Sequence, residues 1–158
     1  MDIGINCEEG KFKFRVCGIL QHNDKYLVVK MNDNPFYCLP GGHVELGEDT
    51  NQAVLREMRE ELGFEVKLEK LVAVNQNFFT GNDGRPFHEL GFYYVVSAVD
   101  EKNINPNDYA REELDKGKIQ HLVFKWATLE ELKKLDFRPP FLTRCLENDH
   151  VEINVSRD

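Results

Sequence analysis

The sequence predicts an α/β layered fold, in which several strand-forming segments surround one strongly marked amphipathic helix and two shorter helices close the chain. Three observations carry that expectation. Phe12, Phe14 and Val16 alternate with Lys11, Lys13 and Arg15 ahead of Ile19 and Leu20, which is strand patterning. Residues 49–63 place Val54, Leu55, Met58 and Leu62 on one helical stripe, enough to dock a helix on a sheet. The chain has 158 residues with no internal repeat and no Ser/Gly-rich linker, so one domain over residues 1–158 is expected, with residues 148–158 as a flexible tail.

Taken in order, the first strand ends at the turn-forming His22, Asn23 and Asp24, and residues 26–29 supply its hairpin partner. Residues 31–47 carry Asn-Asp-Asn-Pro and Pro-Gly-Gly and read as loop. The helix that follows has Asp49 as its cap, Gln52 at the reciprocal position and Gly63 as a left-handed stop. Residues 66–79 and 87–99 read as strands on either side of a turn-rich segment with Gly81, Gly84 and Pro86, and residues 119–126 as another. Short helices are expected over residues 128–135 and 140–147, the first begun by Thr128 with Glu131 at capping-box spacing.

Composition narrows the function classes. Twenty basic against twenty-eight acidic residues give a net charge of −8, which opposes nonspecific attraction to nucleic acid or an anionic membrane. The longest apolar run, residues 92–96, falls far short of the ~20 residues that a membrane span needs. The acidic N-terminal stretch, with Asp2, Glu8 and Glu9, is unlike a secretory signal. Cys7, Cys17, Cys38 and Cys145 are isolated and show no zinc-ligand spacing, so they read as reduced thiols. A cytoplasmic protein with a small-molecule partner is expected, with neither nucleic acid nor membrane among its partners.

Chemistry concentrates on the long helix. Glu57, Glu60 and Glu61 stand at i, i+3 and i+4, which brings three carboxylates onto one face. Like charges so placed repel, and a hard divalent cation converts the repulsion into a site; Mg²⁺ commonly combines one or two carboxylates with waters and substrate phosphates. Arg56 and Arg59 are close enough to hold a carboxylate by a charge-assisted bond. The plain alternative is a solvated Glu/Arg helix face.

The surroundings decide between these. The chain reads Gly42, five residues, Glu48, seven residues, then Arg56-Glu57-Met58-Arg59-Glu60-Glu61-Leu62-Gly63-Phe64, and Leu39-Pro40-Gly41 precedes it. This resembles the Nudix box over residues 42–64, with every specified position filled. The Lys125-Trp126 strand end and the Thr128-Leu129-Glu130-Glu131-Leu132 segment also look like the late strand and helix of many Nudix domains. The resemblance implies an α/β/α sandwich around a mixed central β-sheet and hydrolysis of a nucleoside diphosphate linked to another group, with Mg²⁺ or Mn²⁺. It implies Glu57, Glu60 and Glu61 as metal ligands, Arg56 orienting a helix glutamate, Glu48 as a weaker or water-mediated contact, and Gly42 lending a carbonyl.

Outside the box the residues are read from their chemistry. Gly41 and Gly42 let the backbone approach anionic oxygens. Arg15 or Lys30 is available to stabilise transition-state charge. Glu89, beside His88 at the start of a strand, would serve as general base or a further metal ligand. Phe79, next to Phe78, could stack on a base, and the loop region 78–89 is the expected seat of specificity. Fifteen to eighteen residues past Phe64 stand Phe79, Thr80, Gly81 and Asn82. They are neither the proline associated with ADP-ribose hydrolases nor the tyrosine of the dinucleoside polyphosphate group. The expected function is a metal-dependent pyrophosphohydrolase of a nucleotide-type small molecule. The alternative is a Nudix-fold sensor without turnover, while an mRNA-decapping enzyme is disfavoured by the acidic balance.

Overall fold

A computed structural model describes residues 1–158. The chain opens with β1 (Gly4–Cys7), the long β2 (Gly10–His22), β3 (Lys25–Met31) and the short β4 (Gly41–His43). Helix α1 (Thr50–Leu62) follows, then β5 (Val66–Thr80) and β6 (Pro86–Ala98), a 3-10 turn at Glu101–Asn103, and β7 (Tyr109–Asp115) with β8 (Lys118–Ala127). Helices α2 (Leu129–Lys134) and α3 (Leu142–Cys145) precede the last strand, β9 (Glu152–Arg157).

The strands join in the order β7-β8-β3-β2-β6-β5-β9, with β1 and β4 also paired to β2. Pairing is parallel between β2 and β6 and between β5 and β9, and antiparallel elsewhere, so the sheet is mixed. Strand β2 is shared along its length. Its Arg15, Val16 and Cys17 face His43, Gly42 and Gly41 of β4, whereas Gln21 and His22 face β3.

Side-chain alternation explains why helices cover both faces. Val16 and Leu20 of β2, with Leu27 and Val29 of β3, pack with Ala53, Val54, Met58 and Leu62 of α1. Cys17, Ile19, Tyr26 and Val28 point the other way, against Leu132, Leu142 and Cys145 of α2 and α3. Strands buried on both sides read as continuous apolar runs. The arrangement is the α/β/α sandwich expected from the sequence.

The caps of α1 form as read. Asp49 accepts from the Gln52 amide at 2.8 Å, the Gln52 side chain accepts from the Asp49 amide at 3.0 Å, and Gly63 takes φ 83°. The Thr128–Glu131 capping box is also present.

Four segments differ from expectation. Residues 41–43, read as loop, form β4 because β2 pairs with them. Residues 148–158, expected as a flexible tail, instead supply β9, held on β5 by its ladder and by Asn154 Nδ2 donating to Asn75 Oδ1 at 3.0 Å. Strands β1 and β7 were not foreseen, because β1 is exposed throughout and β7 (Tyr-Ala-Arg-Glu-Glu-Leu-Asp) has no apolar alternation.

Candidate active site

Helix α1 lies against the β4 edge, so its carboxylate face meets the glycine pair Gly41-Gly42. The Glu61 side chain is 4% exposed and its Oε2 accepts from the Gly41 amide at 2.7 Å. A Cβ on Gly42 would stand 2.2 Å from Glu57 Oε2, and one on Gly41 would stand 2.0 Å from the Val16 carbonyl oxygen. The β2 backbone admits only glycine at position 41, and the absence of a side chain at Gly42 lets the Glu57 carboxylate lie directly on the short strand.

Arg56 organises the rest. Its Nε and Nη2 donate to the two oxygens of Glu48, both at 2.8 Å, a bidentate clamp. Its Nη1 donates to Glu57 Oε1 at 2.7 Å and reaches Glu60 Oε2 at 3.5 Å, and Nη2 also donates to the His43 carbonyl at 2.9 Å. One guanidinium thus ties three acidic side chains of the 42–64 segment to β4. Arg59, which has the same spacing to a helix glutamate, turns away to pair with Glu65 on the exposed side.

Protonation follows environment. The Arg56 hydrogen bonds hold the Glu48 carboxyl below its usual range, whereas burial pushes Glu57 up against the pull of Arg56. Burial raises Glu61 to about 8, with the Gly41 amide opposing it. Burial, then Arg15 and Lys13, press His43 down to about 4, so its ring is neutral at pH 7.

The raised Glu61 value has a stability consequence. Because its folded value lies above the unfolded ~4.3, the folded state keeps a proton that the unfolded chain releases. This contribution is full below about pH 4 and is lost as pH rises toward about 8. In metal-free protein the melting temperature of Glu61→Gln should gain on wild type between pH 5 and pH 8. A difference that stays constant across that range would contradict the assignment.

The remaining residues named from the sequence are distributed unevenly. Arg15 lies opposite His43 in the β2–β4 ladder, its Nε is buried without a partner, and its Nη1 is 3.9 Å from Glu89 Oε2. Glu89 therefore shares the face of Arg15 and Cys17, the one turned away from α1. His88 faces the opposite side, stacked on Phe78 at 4.4 Å. Phe79 stacks on Phe87 at 4.8 Å and lines a cavity of about 320 Å³. It stands four residues along β5 from Asn75, which shares a cross-strand row with Gly91 and Arg15. That separation is about 13 Å. Lys30 stands apart from the carboxylates, its ammonium 5.2 Å from the centre of the Tyr37 ring.

One residue was missed altogether. Arg111 of β7 donates from Nη1 to the Glu61 carbonyl and from Nη2 to the Glu60 carbonyl at 3.4 Å, bracing the C-terminal end of α1. Nothing near Arg111 in sequence signals this, since the partners lie fifty residues away.

No three His, Cys, Asp or Glu side chains converge into a ligand set. Arg56 instead stands among the acidic groups. The donor chemistry nevertheless suits a hard cation: carboxylates of Glu57, Glu60 and Glu61 beside a glycine backbone, with no competing thiolate or imidazole bonded to them. A family model described as the NUDIX domain matches residues 11–145.

The chain belongs to the NUDIX domain family. It is 44% identical over 88 residues to an ADP-ribose pyrophosphatase of Methanocaldococcus jannaschii, covering 53% of this chain and 50% of that protein. It is 39% identical over 109 residues to the nucleoside triphosphatase NudI of Escherichia coli, covering 60% of this chain and 77% of that one. The match to the archaeal relative thus spans about half its length, and that to a putative 8-oxo-dGTP diphosphatase of Bacillus subtilis spans 39%. Among solved structures, a NUDIX hydrolase from Nitrosomonas europaea superposes with a TM-score of 0.61 at 18% identity, covering 92% of this chain and 79% of that one. The MutT NUDIX hydrolase from Burkholderia pseudomallei gives 0.59 at 22% identity, covering 84% and 95%. These likenesses establish the fold.

Proposed function

We propose that this NUDIX domain is a pyrophosphohydrolase that cleaves a pyrophosphate bond in a nucleoside diphosphate-linked small molecule, with Mg²⁺ as its metal and Mn²⁺ as a substitute. The observation that carries the reading is the Arg56 clamp on Glu48 and Glu57 beside a buried Glu61 on the Gly41 amide. Such a preorganised acidic edge has no structural need for three mutually repelling glutamates.

In this reading Glu57, Glu60 and Glu61 hold the cation, with the Gly42 carbonyl, and with Glu48 through water. The cation supplies charge neutralisation at the phosphate oxygens and lowers the pKa of water. Arg56 keeps Glu57 and Glu60 aimed along one helix face. Gly41, whose amide holds Glu61, keeps the strand edge open to the anionic substrate, and Arg15 offsets charge that develops at the phosphoryl group. Glu89, beside Arg15, accepts the proton of the attacking water. Phe79 with the 78–89 segment, and Lys30 on β3, contribute to substrate binding away from the scissile bond. The low-pI chain then acts in the cytoplasm on a small nucleotide-type substrate.

The test is a panel of nucleoside triphosphates, ADP-ribose, nucleotide sugars and dinucleoside polyphosphates, assayed with Mg²⁺ for released phosphate or nucleotide. Turnover of any member supports the reading. Tight binding without turnover across the panel would replace it with a sensor.

A second measurement reads the metal without turnover. Millimolar MgCl₂ should raise the melting temperature beyond NaCl at matched ionic strength, because a ligand of the folded state alone stabilises it by mass action. The excess should vanish in the Glu57/Glu60/Glu61→Gln triple variant. Equal shifts from the two salts would sink the metal site.

A further inference from the structure

Lys11, Lys13 and Arg15 alternate along β2 and so share one face of the sheet, successive members about 6.7 Å apart. Their charges are not equally matched. Lys11 pairs with Asp83 at 2.9 Å and Arg15 with Glu89 at 3.9 Å, whereas Lys13 makes no ion pair and no hydrogen bond. Half-buried Lys13 instead holds its ammonium 5.1 Å from the centre of the Phe87 ring, which Lys11 shares at the same distance. Burial, then Arg15, holds its pKa below the ordinary lysine range, against the opposing pull of Glu89, its neighbour across the β2–β6 ladder.

Lys13 also lines a cavity of about 380 Å³ whose wall includes Lys11, Lys116, His43 and Asp2. That volume is within the range of small-molecule sites. The one carboxylate there, Asp2, is already engaged by Lys116 at 2.6 Å and stands 3.6 Å from His43. The cavity thus carries one unmatched cation, in a chain of net charge −8. His43 connects it to the site described above: its carbonyl accepts from Arg56, and it lies opposite Arg15 in the ladder. A path of cations therefore runs from the box, past the unpartnered Nε of Arg15, to Lys13.

We infer that Lys13 and this cavity form a subsite for one additional phosphoryl group of the substrate, remote from the bond that is cleaved. The inference rests on the hydrolase reading for its location, and its test needs no turnover. The group has two chemical sources, the terminal phosphate of a polyphosphate chain or a phosphate ester on the nucleoside. Lys13 is then the residue that separates substrates with the extra anion from those, such as ADP-ribose, that lack it.

The test is isothermal titration with three non-hydrolysable probes at fixed ionic strength and fixed Mg²⁺. These are a methylene-bridged nucleoside diphosphate, the same compound with a 2′-phosphate ester, and an imido-bridged nucleoside triphosphate. Wild type should bind one of the two extra-phosphoryl probes about 10-fold tighter than the plain diphosphate, the scale of one charge-assisted hydrogen bond. Which probe shows the preference identifies the source. Lys13→Met should reduce the preference to less than about 2-fold, whereas Lys13→Arg and the distant Lys134→Met should retain it. Lys13→Gln takes the place of Lys13→Met should the latter not fold.

Equal affinity of wild type for all three probes, no binding of any, or a folded Lys13→Met that keeps the preference would overturn the subsite. A Lys13-dependent preference with no turnover in the substrate panel leaves the subsite standing and removes the hydrolase reading. Turnover without the preference does the reverse.

Discussion

Glu60→Gln and Glu61→Gln are each expected to lower turnover by ~100-fold or more, the scale of losing one group that stabilises transition-state charge. The two changes act from different environments. The Glu60 side chain is 51% exposed and touches only the tip of Arg56, so its replacement leaves packing untouched. Glu61 is buried, but glutamine keeps an oxygen that can accept from the Gly41 amide. Both variants should therefore fold, and Glu61→Gln should be the more heat-stable at pH 8 in the absence of metal. Steady-state kinetics beside thermal melts separate the two effects. Wild-type turnover in either folded variant would remove its carboxylate from the site.

Arg56→Lys is expected to lose both stability and turnover. A lysine ammonium cannot form the bidentate clamp on Glu48 while also donating to Glu57 and the His43 carbonyl. Breaking a buried pair costs about 3–5 kcal/mol, and the 21% exposure of Arg56 discounts that to about 2 kcal/mol. For a chain of this length the melting temperature should fall by roughly 4–8 °C. Arg59→Lys is the matched control, since its partner Glu65 lies on the exposed side and the pair touches no box carboxylate. Arg56→Lys with wild-type melting and turnover would show that the clamp organises nothing.

The contrast between those two arginines shows how far the residues could be read without the fold. Both stand one residue before a glutamate on the same helix, and spacing alone gave each an equal claim on a carboxylate. The β4 edge breaks the tie, because the His43 carbonyl and Glu48 lie on the Arg56 side of α1. Glu89 and His88 part in the same way. They are adjacent in sequence, but strand alternation sends Glu89 to Arg15 and His88 to Phe78.

What the sequence determined by itself is what depends on neighbours within one or two helical turns. The caps of α1 and its apolar stripe are such features, and both formed as read. Local hydrogen bonds and the 3.6-residue period make them independent of the rest of the chain. Tertiary structure decided everything that needed a partner across the sheet. Residues 41–43 became a strand only because β2 offered them a ladder, and the charged, exposed β7 delivered Arg111 to the end of α1. The last residues left solution for the free edge of β5, and Lys13 was left as the unmatched cation of its row. Backbone pairing between distant segments carries no periodic signature when the strand is short or solvated on both faces, so only the folded sheet reveals it.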